Sequence, residues 1–264
     1  MVGELYAERV EGTVAATSRK IDFLGCRLSL LSQDEVLEMI AVAVARRKPL
    51  IHAALNAGKV VAAAGDGAFR SVMNSFDVVT ADGMSIVWAS RLLGYPPVER
   101  ITGIDLMQAL LARAWERKYA VYFLGATDDV LCRMAARLSG TFPGLRVAGA
   151  SNGYFSPDRD AEVVAGIAAS GADILFVAMP TPKKEVFLVE NRERLGVPFA
   201  MGVGGSFDVL AGQVARAPKW LQLAGMEWAF RLAQEPRRLW RRYLFSNTRF
   251  IRLVLRARLG RPFI

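Results

Sequence analysis

The sequence predicts an α/β fold: a Rossmann-like core with a mostly parallel sheet, followed by a C-terminal basic amphipathic helical appendage. Two observations point to the core. Short apolar runs alternate with helical windows from Leu50 to Val203, and several of those runs are continuously apolar. Strands buried on both faces of a parallel sheet read this way, because neither face is left for water. Charge points to the appendage, since the net charge of +9 resides in the end of the chain.

Strands are expected over Leu50–Leu55, Asp77–Thr80, Ala120–Leu124, Arg146–Ala148, Asp173–Met179 and Pro198–Val203. Helical windows lie over 33–47, 57–74, 83–93, 104–118, 128–139, 158–170 and 183–194. Alternation of this kind places helices against a sheet. It ends near Asp208–Pro218, where an aromatic, arginine-rich part begins. The expected division is a flexible N-terminal segment over 1–20, a core over 21–207 and an appendage over 208–264.

Hydrophobic residues make up 53% of the 264 positions and charged residues 22%, which supports a sizeable core and argues against disorder. Cys26 and Cys132 form no CxxC pair, so a reducing compartment is expected rather than a disulfide scaffold. The first 20 residues carry Glu4, Glu8 and Glu11 and no long apolar run, so no signal peptide is expected. No apolar run reaches the roughly 18 residues a bilayer-spanning helix needs.

From Arg231 to Ile264 there are ten arginines and one acid, Glu235. The remaining chain holds 24 basic and 24 acidic side chains, so the body is neutral and the tail carries the charge. On a helical projection, Leu239, Trp240, Tyr243, Leu244, Phe250, Ile251, Val254 and Leu255 fall within an arc of about 160°. Arg238, Arg241, Arg242, Arg249, Arg252 and Arg256 cluster opposite them, while Phe245 and Leu253 break the pattern. Such a helix suits an anionic membrane surface. It also suits a terminal helix packed on the body with a solvated basic face. No nucleic-acid-binding motif accompanies the charge, so nucleic acid is not an expected partner.

Ligands of α/β sheets sit beyond the carboxyl ends of the strands. The turns there are Asn56-Ala57-Gly58, Ala81-Asp82-Gly83-Met84, Gly125-Ala126-Thr127, Pro180 to Glu185 and Gly202 to Ser206. Asp82 is a candidate general base at a strand end, with helix capping as the simpler role. Gly202-Val203-Gly204-Gly205 could cradle a phosphate or pack a helix tightly on a strand. It is not a G-x-G-x-x-G fingerprint, since Phe207 holds the sixth position. Asp158-Arg159-Asp160 has a metal-binding look, but Ser156-Pro157 before it explains the acids as a helix start, and no metal is expected. His52, the single histidine, lies inside an expected strand and reads as structural.

The motifs Val79 to Met84, Arg100-Ile101-Thr102-Gly103-Ile104-Asp105-Leu106, Tyr122 to Gly125 and Asn152-Gly153-Tyr154-Phe155 occur in order. Pro182-Lys183-Lys184-Glu185, Gly202 to Asp208, Arg216-Ala217-Pro218-Lys219-Trp220 and Glu227-Trp228 follow them. Together, over roughly residues 22–245, they resemble the WecG/TagA/CpsF (GumM-like) bacterial glycosyltransferases. The resemblance implies an inverting transferase that moves a hexose-type sugar from a UDP-sugar to a polyprenyl-diphosphate-linked saccharide. It implies no bound metal or cofactor, a peripheral place on the cytoplasmic face of the cell membrane, a role in exopolysaccharide or cell-surface polymer synthesis, and self-association as a homo-oligomer. It makes Asp82 the catalytic base and puts Asn56 in the pocket. It assigns Arg231, Arg238 and Arg241 to a diphosphate. Gly83, Met84, Arg100, Thr102, Gly103, Gly125, Tyr154, Pro182, Lys184, Glu185, Gly204, Gly205 and Asp208 complete the expected substrate site. Two positions depart from the family pattern: Ala54 where Thr is frequent, and Lys184 where Gln is frequent. They leave the donated sugar open. A nucleotide-dependent oxidoreductase and a non-catalytic membrane adaptor are the competing classes.

Overall fold

The computed structural model describes residues 19–260, so most of the flexible segment expected over 1–20 lies outside the described residues. The described chain begins with a hairpin absent from the expected strands. Strands β1 (Lys20–Phe23) and β2 (Cys26–Ser29) pair antiparallel across Leu24-Gly25. Both turn residues have positive φ, 53° and 84°, as the tight turns that match strand twist demand. Phe23, Leu24, Cys26 and Leu28 bury their side chains, which fastens the hairpin to the body.

Helix α1 (Gln33–Arg46) starts in a reciprocal cap between Ser32 and Glu35. Then come β3 (Leu50–Leu55), α2 (Ala57–Gly65), α3 (Gly67–Asn74), β4 (Val78–Ala81), α4 (Met84–Leu92), α5 (Gly103–Arg117), β5 (Val121–Gly125), α6 (Asp128–Thr141) and β6 (Val147–Ser151). A 3₁₀ turn over Pro157–Arg159 leads into α7 (Asp160–Ala169), β7 (Ile174–Ala178), α8 (Lys183–Glu190), β8 (Phe199–Gly202) and α9 (Ser206–Leu210). The single helix expected over 57–74 is two helices. Asp66, between Gly65 and Gly67, caps the second by accepting from Ala68 and Phe69 N–H at 2.9 and 3.1 Å.

The six strands β3–β8 form one parallel sheet in the order β4-β3-β8-β7-β5-β6. The fold is therefore α/β with a Rossmann-like core. Alternate strand residues serve two cores. Ile51, Ala53, Leu55, Val79, Leu124 and Val177 face the side covered by α2, α3, α4, α7 and α8. Val78, Val121, Phe123, Phe176 and Met201 face the side covered by α1, α5, α6 and α9. Continuous apolar runs arise because both strand faces meet helices.

The appendage consists of α10 (Lys219–Leu223), α11 (Glu227–Gln234) and α12 (Pro236–Arg258). Pro236 opens α12, where its missing N–H costs nothing. The apolar arc expected on this helix divides in two. Phe250 and Val254 are buried, Leu253 and Ala257 pack beside them, and the Phe250 ring lies 6.5 Å from that of Phe23. Burying Phe250 and Val254 contributes roughly 1.5–3 kcal/mol each. Trp240, Leu244, Ile251 and Leu255 remain exposed, next to the exposed Arg241, Arg249, Arg252 and Arg256. The reading of a terminal helix packed on the body is realised on one face, while an apolar strip on the adjacent face stays exposed. Leu253, which broke the projected pattern, belongs to the body-facing side. No helix among the described residues is long and apolar enough to cross a membrane.

Candidate active site

Asn56 and Asp82 come together because β3 and β4 are parallel neighbours with Leu55 opposite Ala81. The residue after each strand emerges at the same edge, and Asp82 N–H donates to the Leu55 carbonyl at 2.7 Å. The Asn56 carbonyl oxygen caps α2 by accepting from Lys59 N–H at 3.1 Å. Its side chain also hydrogen-bonds the Asp82 carboxyl, which leaves the amide nitrogen as the donor.

Asp82 does not cap α4. The cap position is Gly83, with φ 113° and no side-chain hydrogen bond to the helix. That φ belongs to glycine and frees the carboxyl of Asp82 to face the cleft. Asp82 is half-buried, and the protein packed around it raises its pKa above the ordinary carboxylate value. Lys59, the Asn56 hydrogen bond and Arg231 oppose that rise, while Glu227 adds to it. A carboxylate with a raised pKa and a partial opening suits proton abstraction.

Glu227 and Arg231 lie on α11, so the appendage reaches the same crevice. A Cβ built on Gly205 would stand 2.8 Å from Arg231 Nη2 and 3.5 Å from Asp208 Oδ2. Glycine at 205 therefore makes room for the Arg231 guanidinium against the β8–α9 turn. Gly204 (φ 46°) shapes that turn. Arg100 Nη1 pairs with Glu227 Oε2 at 3.5 Å, and Arg216 Nε with Glu227 Oε1 at 3.6 Å. Arg216 also pairs with Asp105. A Cβ on Gly225 would meet Met84 Cγ at 2.8 Å, so Met84 is where α4 meets the appendage. These contacts hold α11 over the strand ends.

On the other side of Asn56, Lys59 and Lys184 share the Glu185 carboxylate. Lys59 Nζ lies 2.9 Å from Glu185 Oε1 and donates to the Ala54 carbonyl at 2.7 Å. Lys184 Nζ also lies 2.9 Å from Glu185 Oε1 and donates to Thr181. All three charged side chains are buried. Burial works to raise the pKa of Glu185, but the two ammoniums prevail and hold it below the ordinary value. Lys184 runs its stem across Gly202 and is engaged with Glu185 and Thr181. Pro182 sits at the start of α8.

Several expected site residues also have local structural roles. Thr102 caps α5 by accepting from Asp105 N–H at 3.2 Å, and Gly103 opens that helix near the Ala54 side chain. Gly125 (φ 128°) lets β5 press on the Ala178 backbone. With Tyr154, which is 77% exposed after β6, it sits at the far side of the sheet. At about 4.8 Å per strand, the ends of β5 and β6 lie roughly 19 and 24 Å from that of β4. The structure does not bring Gly125 or Tyr154 beside Asp82. Arg241 is exposed, its guanidinium 5.2 Å from the Trp240 ring, while the Arg238 side chain lies outside the described residues. Lys59, Arg216 and Glu227 are the additions the structure makes to the expected site.

Asp158 and Asp160 belong to a 3₁₀ turn and the start of α7, and Ser156 does not cap that helix as expected. Its hydroxyl bonds Asp158 instead. His52 is fully buried and its Nε2 lies 2.9 Å from Thr80 Oγ1. Thr80 Oγ1 donates to the Ile101 carbonyl at 3.2 Å, so it accepts from His52 Nε2–H. Burial, aided by Lys59, lowers the His52 pKa to about 3. A histidine held neutral contributes stability that is complete above its ordinary value of 6.5 and is lost as pH falls toward 3. Denaturant unfolding between about pH 7 and pH 4 should show this loss, and His52→Gln should flatten it. An unchanged slope would contradict the assignment.

At the strand ends of a Rossmann-like sheet, the Asp82 carboxyl and the Arg231 guanidinium thus share one crevice. The glycosyl transferase WecG/TagA/CpsF family model matches residues 21–263, and the chain belongs to that family. It is therefore a glycosyltransferase. The chain is also similar to an N-acetylglucosaminyldiphosphoundecaprenol N-acetyl-beta-D-mannosaminyltransferase of Bacillus spizizenii, 39% identical over 188 residues. That match covers 71% of this chain and 72% of the relative.

Proposed function

We propose that the protein transfers a hexose-type sugar from a UDP-sugar to a polyprenyl-diphosphate-linked saccharide, with inversion and without a bound metal. The observation that carries this reading is the meeting of Asp82 and Arg231 at one crevice. Transfer to a hydroxyl needs a base on the acceptor side, and the partial opening and raised pKa of Asp82 support that role. Negative charge then develops on the departing diphosphate. Arg231 and the N–H groups of the Gly204-Gly205 turn supply positive potential for it. The acceptor class follows from the relative, whose name specifies a diphosphoundecaprenol-linked sugar.

Incubating the protein with a panel of UDP-sugars, a polyprenyl-diphosphate-linked N-acetylglucosamine and a chelator tests the reading. One UDP-sugar should extend the acceptor and release UDP. Release of UDP without extension, or a requirement for added metal, would contradict it.

The acceptor lipid also gives the exposed side of α12 a purpose. Its apolar strip and neighbouring arginines suit the cytoplasmic face of the cell membrane, where each arginine near anionic headgroups contributes on the order of 1 kcal/mol. Replacing Leu244, Ile251 and Leu255 together by Ser should weaken sedimentation with anionic vesicles by about tenfold or more. The body-facing Phe250 and Val254 stay untouched, so the fold should persist. Unaltered vesicle binding would remove α12 from the membrane contact.

A further inference from the structure

Lys59 stands out because nothing in local folding asks for it. It is the one charged residue of α2, Ala-Gly-Lys-Val-Val-Ala-Ala-Ala-Gly, and it is buried. An aliphatic side chain would fill the same volume without taking an ammonium out of water. Lys59 also occupies the third helical position after the Asn56 cap, in the first turn. The helix dipole disfavours a cation there, so its position opposes the usual rule. Against both costs, the side chain is held by two contacts, to Glu185 at 2.9 Å and to the Ala54 carbonyl at 2.7 Å. Those contacts tie the start of α2 to the end of β3 and to α8, beside the strand end that carries Asp82.

We propose that Lys59 is a positioning residue for the base: its clamped ammonium and the N-terminus of α2 keep the Asp82 carboxylate ionised in the crevice. This rests on the reading of Asp82 as the base. Every element around Asp82 contributes to that balance. From α2 come Lys59 and the Asn56 hydrogen bond, and from α11 come Arg231, which favours the charge, and Glu227, which opposes it. Arg100 and Arg216 engage Glu227 and temper its opposition. Glu185 fixes the direction of the Lys59 side chain from α8. Among the groups that offset the burial of Asp82, Lys59 has the largest influence.

The test is the pH profile of kcat/KM. In Lys59→Met the acid limb should move to higher pH. The ratio of kcat/KM at a pH below the acid limb of both proteins to that on the plateau should then fall roughly tenfold against wild type, the equivalent of one pKa unit. Lys59→Arg, which keeps the charge, should restore the ratio. Lys59→Gln, which keeps a donor for the Ala54 carbonyl and leaves Glu185 paired with Lys184, should show the same displacement if the methionine variant folds poorly. Where turnover is too slow to follow, the Asp82 carboxyl carbon, assigned against Asp82→Asn, reports the same displacement by NMR titration. Equal losses at every pH, or an unmoved limb, would overturn the role of Lys59. Full activity in Asp82→Asn would instead remove the base on which it acts, so the two failures are distinguishable.

Discussion

Asp82→Asn is expected to lower kcat between about a hundredfold and ten-thousandfold, the range removed with a general base. The substitution keeps the shape of the side chain and the backbone bond from Asp82 N–H to Leu55. Donor affinity should therefore change little, and the loss should fall on the chemical step. A second consequence has the opposite sign. The fold raises the pKa of Asp82, so the carboxyl contributes stability below its unfolded pKa and loses that contribution as pH rises through the folded value. At neutral pH the charged form is a burden on the fold. Asp82→Asn should accordingly melt higher than wild type near pH 7, with the gain vanishing in acid. A variant that loses activity and also melts lower would point to structural damage instead of a lost base.

Arg231→Ala should reduce kcat/KM by about a hundredfold to a thousandfold, the loss that follows removal of one charge-stabilising donor from a transfer site. Its guanidinium rests against Gly205 and acts on Asp82, so it bridges the proposed leaving-group and base sides of the crevice. Arg231→Lys should recover only part of the loss, because a point charge lacks the planar fork that grips a diphosphate. Gly205→Ala offers an independent check. Its Cβ would stand 2.8 Å from Arg231 Nη2 and push the guanidinium aside, so it should imitate Arg231→Ala in kinetics. Normal kinetics in both variants would place the diphosphate elsewhere.

Much of the core was legible in the sequence for one reason. Runs such as Ile174-Leu175-Phe176-Val177 are apolar at every position, and only a strand covered on both faces buries all four. Strand β3 begins and ends where expected. The β1–β2 hairpin escaped because its turn is Leu24-Gly25, and leucine at positive φ is an unusual turn residue. Its signal was the pairing of Phe23 with Cys26 and of Ile21 with Leu28 across Gly25. At the site, Asp82 and Asn56 were legible from strand ends and family motifs alike. Their hydrogen bond was not, since it depends on β3 and β4 being neighbours. Gly125 and Tyr154 share the motif order of the site residues, yet strand order sets them at the far side of the sheet. Lys59 was hidden because a lone lysine in an alanine-rich helix usually reaches water. Only the Glu185 clamp shows that this one does not.

Direct displacement assisted by Asp82 is tested most directly by the stereochemistry of the product. The wild-type protein would be given an α-linked UDP-sugar and the polyprenyl-diphosphate-linked acceptor, and the anomeric configuration of the new linkage read by proton NMR. A β linkage formed by wild type and lost with Asp82→Asn is the expected result. An α linkage, or a β linkage formed at the wild-type rate by Asp82→Asn, would contradict it.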